Sequence, residues 1–435
     1  MHLAGLLDCQ LLSPSGEGVG KVDDVIVRLR GGDYPLVTGL VAKVGGRRVF
    51  LPISRVAELG DQRVVLSEAQ VDLRSFERRE GEVLLRQDIL GHRLIDVADA
   101  ELVRAWDIEL RATGEGWILS SLDTRRPARL FGLIRPTVGH PSQDWKAFEP
   151  LIGHTPSALA RATFGRVRRL KPAQIADLLE DASRREGEEI LDLVHRDPEL
   201  EADVFEELDP DIANRLFGDK TDAEVAEVLA RMRSDDAADA ISELPQGRRQ
   251  KVLDALPAKA RSKVLTLLGY NATSAGGIMG VDFLTAPGEA TVEEALRRIR
   301  LAGDTQPEAL ITMHTLDDSN RLIGTITVIG LLHAEPESGL VDVVDANPVR
   351  VTTDTDVVDV TLLMADYNLM TIPVVDAENH LLGVITVDDV LEATIPDDWR
   401  RREPPPHPET PQADTSPQAN TAVNGTHTDR SEPRR

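Results

Sequence analysis

The 435-residue sequence has few of the residues that support disulfides, aromatic cores or membrane insertion. Cys9 is the only cysteine, so no intrachain disulfide can form, which fits a reducing compartment, and we expect Cys9 to be buried filler. Aromatic residues make up only 3% of the chain, so its cores must be built from Leu, Val, Ile and Ala. The N-terminus lacks a basic segment followed by an apolar run, and we expect no signal peptide. The richest apolar run, 322–332, is about half the roughly 20 residues of a membrane span.

Acidic residues outnumber basic residues in this sequence. The chain has 49 Lys and Arg against 74 Asp and Glu, a formal net charge of -25. Such a field repels phosphate backbones, so we expect no nucleic-acid partner, and it attracts divalent cations. Solubility is a second interpretation of the same charge.

The sequence carries no enzyme signature. Its ten histidines show no metal-site spacing such as His-Glu-x-x-His, and His195 lies in an acid-rich stretch typical of a surface. Gly276-Gly277 is interpreted as a helix exit and not as a phosphate-binding loop. We therefore predict that the protein is not an enzyme.

Short β-branched segments separated by glycine turns predict a small β-barrel over residues 1–75. Residues 76–124 repeat this pattern weakly, and residues 125–155 read as a linker. Gly20-Lys-Val-Asp-Asp-Val and Gly91-His-Arg-Leu-Ile-Asp-Val stand at matching places in the two units. Both units resemble PRC-barrel domains, and this resemblance implies docking of a protein partner.

Residues 156–275 change to short helical patterns that follow one another every dozen or so residues. Many end in Leu-Asp-Pro or Leu-Pro, where the proline starts the next helix. Stacked short helices of this kind predict a superhelix. The last segment, residues 399–435, is rich in Pro, Thr, Asn and Arg, and we expect it to be disordered.

Two copies of one unit lie about 60 residues apart, which indicates a duplication. They are Asn320-Arg-Leu-Ile-Gly-Thr-Ile-Thr-Val-Ile and Asn379-His-Leu-Leu-Gly-Val-Ile-Thr-Val-Asp-Asp-Val. The pattern in each copy, residues 276–340 and residues 341–398, predicts a strand, a helix, two strands and a second helix. The pair resembles a tandem CBS module, which implies binding of adenine nucleotides or ions and a homodimer. The predicted fold class is thus multidomain α+β: β-barrels, a helical superhelix, an α/β CBS pair and a disordered tail.

Three further motifs extend the resemblance. Ser234-Asp-Asp-Ala-Ala-Asp, Ser274-Ala-Gly-Gly-Ile-Met and Ile372-Pro-Val-Val-Asp stand in an order similar to that in the cytosolic region of MgtE-type magnesium transporters. The resemblance implies that a helical domain and a CBS pair close on each other when Mg²⁺ neutralises an acidic interface. The plug helix and pore of that family are not seen in this sequence, so we do not expect the chain to transport an ion by itself.

The candidate metal ligands are Asp235, Asp236, Asp239, Asp388 and Asp389. Asp235 and Asp239 share one helical face, whereas Asp236 points about 100° away. The MgtE resemblance implies that Asp235, Asp239 and Asp389 match magnesium positions. A second interpretation is a helix start, because acids in a first turn complement the helix dipole and Ser234 can cap the helix. A solvated helix face is the second interpretation for Asp239.

The candidate nucleotide ligands are Thr371, Pro373, Thr386 and Asp389. In CBS-like sites a strand-end Thr and an Asp three residues later hold the ribose, as Thr386 and Asp389 would. The first copy departs from this pattern, because Gly330 replaces the Asp. Val358 and Asn368 stand where the MgtE family tends to place further acids, and Arg400-Arg401-Arg402 offers a basic cluster that could hold the acidic face.

These features lead to one hypothesis with alternatives. The leading hypothesis is a cytoplasmic regulatory protein that responds to Mg²⁺ and also binds an adenine nucleotide. It would form a homodimer through its CBS domains. Its PRC-like region would dock a membrane transporter or another protein. The alternatives are a cytosolic subunit of a magnesium transport system and a static docking scaffold with decayed ligand sites. An RNA-processing role for the barrel is opposed by the acidic field.

Overall fold

The computed structural model describes residues 1–30, 32–60, 62–124, 142–151, 165–302 and 308–396. Met1–Ala393 form one compact unit, and Thr394–Arg435 form a second, of which only the first three residues are described. The predicted disordered tail therefore lies outside the described residues, as does most of the predicted linker.

The N-terminal part is built on one branched β-sheet that curls into a half-barrel. Its strands are β1 (Gln10–Leu12), β2 (Gly18–Arg30), β3 (Asp33–Val44), β4 (Arg47–Pro52), β5 (Val56–Leu59), β6 (Arg63–Leu66), β7 (Glu82–Leu84), β10 (Asp107–Thr113), β11 (Gly116–Asp123) and β12 (Gln143–Asp144). A small second sheet holds β8 (Arg93–Asp96), β9 (Glu101–Arg104) and β13 (Phe148–Pro150). The short helix α1 (Leu3–Leu6) precedes them.

The predicted β structure is confirmed, and the predicted small barrel is a half-barrel. The main path of the sheet runs β10-β11-β3-β2-β1-β6-β5. β11 joins β3 through the pair Ile118↔Leu36, so the strands of the later segment extend the sheet of the first instead of closing it. Both faces of β2 are covered, because Val25 and Val27 enter the main core while Ile26 packs with Val41 and Leu84 on the other side.

Asp24, in the motif that resembles a PRC barrel, fastens β2 to the single π-helical turn Leu85–Ile89. Its side chain is buried, and its Oδ1 accepts the backbone N–H groups of Val25 and Arg86, each at 2.7 Å. Its Oδ2 accepts the N–H of Gln87 at 3.2 Å. The carboxylate therefore satisfies backbone donors that are distant in sequence.

We expect Asp24→Ala to destabilise the half-barrel by about 2–4 kcal/mol, because three backbone N–H groups lose their acceptor in a buried place. Urea unfolding of the two proteins measures the difference. Asp33→Ala, which removes an exposed carboxylate from the same sheet, is the matched control and should change the stability by less than about 0.5 kcal/mol. Equal stability of both variants would contradict the role given to Asp24.

The middle of the chain is a series of short helices, as predicted. They are α2 (Pro172–Asp181), α3 (Arg184–Val194), α4 (Pro198–Glu206), α5 (Pro210–Gly218), α6 (Asp222–Leu229), α7 (Ser234–Glu243), α8 (Gln246–Ala255) and α9 (Ala258–Leu267). Three begin at a proline, whose missing N–H costs nothing in a first turn. Two others begin with capping boxes, Ser183 with Glu186 and Thr221 with Glu224. Their apolar faces stack into one continuous core.

Each of the two repeats has the predicted α/β architecture. The first contains β14 (Leu284–Pro287), α10 (Val292–Leu301), β15 (Thr312–Leu316), β16 (Leu322–Thr327), α11 (Val328–His333) and α12 (Leu340–Val343). The second contains β17 (Val351–Thr352), α13 (Val357–Tyr367), β18 (Thr371–Val375), β19 (Leu381–Thr386) and α14 (Val387–Thr394). In both, the first strand is parallel to the second, which is antiparallel to the third.

The two repeated motifs contact each other. The N–H of Leu322 donates to the carbonyl of Asn379 at 2.9 Å, and the N–H of Leu381 donates to that of Asn320 at 3.4 Å. Both asparagines have left-handed backbones, which asparagine tolerates better than other non-glycine residues. The two copies of the motif thus bond to each other in a reciprocal way.

The junction after α9 is bonded to the second repeat. The N–H groups of Ala275 and Gly276 donate to carbonyls in the 353–355 turn, at 2.7 and 2.9 Å. Gly280 and Val384 exchange two backbone hydrogen bonds of 2.9 Å. The junction therefore fixes the helical part beside the second repeat, and this places α7 next to α14.

Candidate functional site

Helices α7 and α14 line a cavity of about 270 Å³ between the helical part and the second repeat. The acidic residues in its wall are Asp235, Asp236 and Asp239 from α7 and Asp389 and Glu392 from α14. The structure thus brings four of the five predicted metal ligands to one cavity. Asp388, the fifth, is exposed and does not line it.

The start of α7 explains why these acids lie together. Ser234 is the first helical residue, and its hydroxyl donates to Asp282 at 3.3 Å instead of capping the helix. Asp235 and Asp236 follow in the first turn of α7, where acids complement the helix dipole, and no side chain caps this end of the helix. The side chain of Asp235 also faces the cavity.

Arg233, which the sequence analysis did not consider, lies between the two acidic faces. Its Nε is 2.6 Å from Asp236, its Nη1 is 3.0 Å from Asp389 and its Nη2 is 3.2 Å from Glu392. Only 17% of its side chain is exposed. The signal was present in the sequence, because a basic residue directly precedes the Ser-Asp-Asp motif, but its partners on α14 are more than 150 residues away.

The acidic cluster holds more negative charge than Arg233 neutralises. Burial, with the neighbouring carboxylates, raises the pKa of Asp389 to about 7 and that of Asp239 to about 6, although Asp239 stays exposed to solvent. Burial and then Asp235 raise the pKa of Asp236 well above its usual value. Burial also raises the pKa of Asp235. The raised pKa values mean that the ionised carboxylates are destabilised by burial and by one another. A cation that enters the cavity stabilises the ionised form.

The donor set and the space fit a hard divalent cation. Carboxylate oxygens are what Mg²⁺ and Ca²⁺ prefer, and Mg²⁺ keeps several of its waters. A cavity of about 270 Å³ has room for an ion with about six waters, at roughly 30 Å³ each. Asp235, Asp239 and Asp389 would hold the hydrated ion from both helices.

Comparison with known families identifies the two halves of this interface. Residues 170–273 match the family model of the MgtE intracellular N domain, and residues 275–337 and 340–395 each match that of the CBS domain. Residues 170–395 are an MgtE N domain followed by two CBS domains. The resemblance found in the sequence is therefore confirmed for this part of the chain.

The relatives are described as magnesium transporters. The chain is 35% identical over 161 residues to the magnesium transporter MgtE of Thermus thermophilus, and the aligned region covers 36% of this chain and 36% of the relative. It is 27% identical over 176 residues to that of Bacillus subtilis, covering 40% of this chain and 38% of the relative. The chain thus spans well under half the length of the curated relatives that it matches. Among the described residues, no helix is long and apolar enough to cross a bilayer.

Two solved structures are similar to part of the chain. A structure described as the cytosolic domain of the Mg²⁺ channel MgtE in complex with ATP is 28% identical, with a TM-score of 0.49, and covers 52% of this chain and 91% of its own. A structure described as the soluble part of a magnesium transporter is 23% identical, with a TM-score of 0.49, and covers 52% and 88%.

The predicted nucleotide ligands of the second CBS domain are divided between two environments. Thr386 and Asp389 line a second cavity of about 420 Å³, together with Arg231, Lys259 and Lys263 of the N domain. Thr371 and Pro373 do not line it. The hydroxyl of Thr371 donates to Thr312 of the first CBS domain at 2.8 Å, and Pro373 is buried within β18.

Asp389 is already engaged by the protein. Its Oδ2 accepts the N–H of Thr386 at 2.7 Å, and its own N–H donates to the Thr386 hydroxyl at 3.3 Å, which forms a capping box. Its Oδ1 accepts from Arg233. A ribose at this residue must therefore displace contacts that start α14 and join the two domains.

The remaining predicted features have structural explanations. Asn368 ends α13 in the left-handed conformation that asparagine tolerates, and Val358 is exposed on the same helix. His195 lies 2.7 Å from Glu201, which also binds Lys220. The basic cluster 400–402 lies outside the part of the chain that the structure describes.

Proposed function

We propose that this protein is a non-enzymatic, Mg²⁺-responsive regulator of magnesium homeostasis, in which the N domain closes on the CBS pair. The observation that carries the proposal is the cavity between α7 and α14, lined by acids of both domains whose carboxyl pKa values are raised. A bridging cation strengthens such an interface, because it removes the repulsion between the two acidic faces. The names of the relatives support Mg²⁺ as that cation.

The proposal includes a homodimer through the CBS domains. Large apolar side chains are exposed on their helices: Ile329, Leu332, Val358, Leu362 and Leu391. Exposed apolar groups of this kind favour a protein partner, and a second copy offers a self-complementary one. An adenine nucleotide in the 420 Å³ cavity is a second ligand, supported by the basic side chains beside Thr386. The half-barrel would dock a transporter or another protein in the cytoplasm.

The test is hydrogen exchange of the whole protein with and without millimolar Mg²⁺, with Ca²⁺ for comparison. We expect Mg²⁺ to increase the protection of the first turns of α7 and α14.

Asp239→Asn should weaken Mg²⁺ binding by about 1 kcal/mol, which corresponds to a roughly fivefold higher Mg²⁺ midpoint, because one carboxylate leaves the cavity. Glu243→Gln, one turn further along α7 and outside the cavity wall, is the matched control and should leave the midpoint unchanged. An Mg²⁺ titration without any change in protection would refute the proposal and favour a static scaffold.

A further inference from the structure

Arg233 pairs with carboxylates of both domains, as no other basic residue of this interface does in the described structure. Its shortest ion pairs join Nε to Asp236 of the N domain, and Nη1 and Nη2 to Asp389 and Glu392 of the second CBS domain. Asp388 lies 3.7 Å from Nη1, and Glu206 lies 3.8 Å from Nε. Its backbone N–H donates to Glu206 at 2.5 Å, which fixes the residue at the start of α7. The side chain is thus held from its own domain and bound to the other one.

A guanidinium can perform the bridging that a hydrated divalent cation performs between two acidic faces. It is planar, carries five N–H donors in a fixed fork and stays charged at every accessible pH. Burial opposes its charge, but the surrounding carboxylates outweigh this and raise the pKa of Arg233 further. Charge-assisted bonds in a partly dry interface are stronger than neutral ones.

We propose that Arg233 is a resident cation of this interface, which holds the N domain against the second CBS domain in the absence of any divalent ion. Mg²⁺ then reinforces a closed arrangement that already exists. Within the described residues, neither Asp235 nor Asp239 lies within ion-pair distance of a basic group, so these two carboxylates remain for the divalent ion. This last step rests on the proposed Mg²⁺ response, whereas the clamp itself does not.

The clamp is tested by Arg233→Met, which keeps the length of the side chain but removes its charge and donors. Arg231→Met is the matched control, because Arg231 carries the same charge two residues away and pairs with Glu199 of the N domain itself. Hydrogen exchange is measured in EDTA and again in millimolar Mg²⁺ for both variants and the unmodified protein. We expect Arg233→Met alone to lose protection in the first turns of α7 and α14 in EDTA, by at least about tenfold, which is ~1.4 kcal/mol.

The outcomes separate the clamp from the Mg²⁺ response. Unchanged protection of Arg233→Met in EDTA overturns the clamp, as does an unmodified protein whose interface is open in EDTA. Loss in EDTA that Mg²⁺ restores supports both proposals, and loss that Mg²⁺ does not restore supports the clamp but contradicts the Mg²⁺ response. If Arg233→Met also loses protection in α2–α5, it has unfolded, and Arg233→Gln then decides by the same criteria.

Discussion

Gly277→Ala is expected to destabilise the junction between the N domain and the CBS pair by at least about 2–3 kcal/mol. A Cβ on Gly277 would lie 2.2 Å from the carbonyl oxygen of Asn271 and 2.7 Å from the Cα of Ala272. Both are backbone atoms, so no side chain can rotate away and the turn itself must open. Because this turn fastens the N domain to the second CBS domain, the substitution should also loosen the contact between α7 and α14.

Gly280→Ala is the matched control, since its Cβ would meet only the carbonyl oxygen of Val384, at 3.7 Å. Thermal unfolding and hydrogen exchange of residues 271–280 measure the effect of both variants. We expect a lower midpoint and faster exchange only for Gly277→Ala. A Gly277→Ala protein as stable as Gly280→Ala would show that the turn yields easily and would contradict the account of this junction.

Lowering the pH from 7.5 to 5 is expected to cost the first CBS domain about 2 kcal/mol through His314 alone. This residue is fully buried on β15, where its Nδ1 lies 3.2 Å from the carbonyl of Leu284. Among the described residues its Nε2 has no hydrogen-bond partner. Burial lowers the pKa of His314 from 6.5 to about 4.

The sign of this effect follows from proton binding. Between pH 6.5 and 4 the unfolded chain binds a proton at His314 and the folded chain does not, so stability falls as the pH falls. Above pH 6.5 the histidine is neutral in both states and the full stability is present. The loss should therefore begin near pH 6.5 and be complete near pH 4.

His314→Leu should remove this part of the acid sensitivity, because leucine cannot take up a proton. His333→Leu, which replaces an exposed histidine of α11, is the control and should keep the pH dependence of the unmodified protein. Urea unfolding at pH 7.5 and pH 5 gives the free energy of unfolding of each variant relative to the unmodified protein at both pH values. An equal loss in acid for both variants would mean that His314 does not carry the effect.

Local patterns in the sequence predicted most of the architecture, because their causes are local. Proline and capping residues set the starts of the short helices, and the duplicated motif predicted both α/β repeats. That the barrel is only a half-barrel was not predicted, since the pairing of β11 with β3 joins residues about 80 positions apart and leaves no periodic signal.

The candidate site was predicted in part for the same reason. Asp235 and Asp239 are four residues apart on one helix, and their shared face is visible in the sequence. Asp236 was expected about 100° away, yet it lines the same cavity, where it lies 2.6 Å from Nε of Arg233. The role of Arg233 depends on a contact across 156 residues, and the role of Gly277 depends on close packing against the backbone of Asn271.

The hydrogen bonds of the junction have a mechanical consequence. Although the first CBS domain follows the N domain along the chain, residues 275–280 are fastened to the second. A displacement of the N domain therefore acts directly on the second CBS domain, which is bonded to the first through the paired turns at Asn320 and Asn379. The CBS domain that comes later in the chain is thus mechanically coupled to the N domain as directly as the one that comes first.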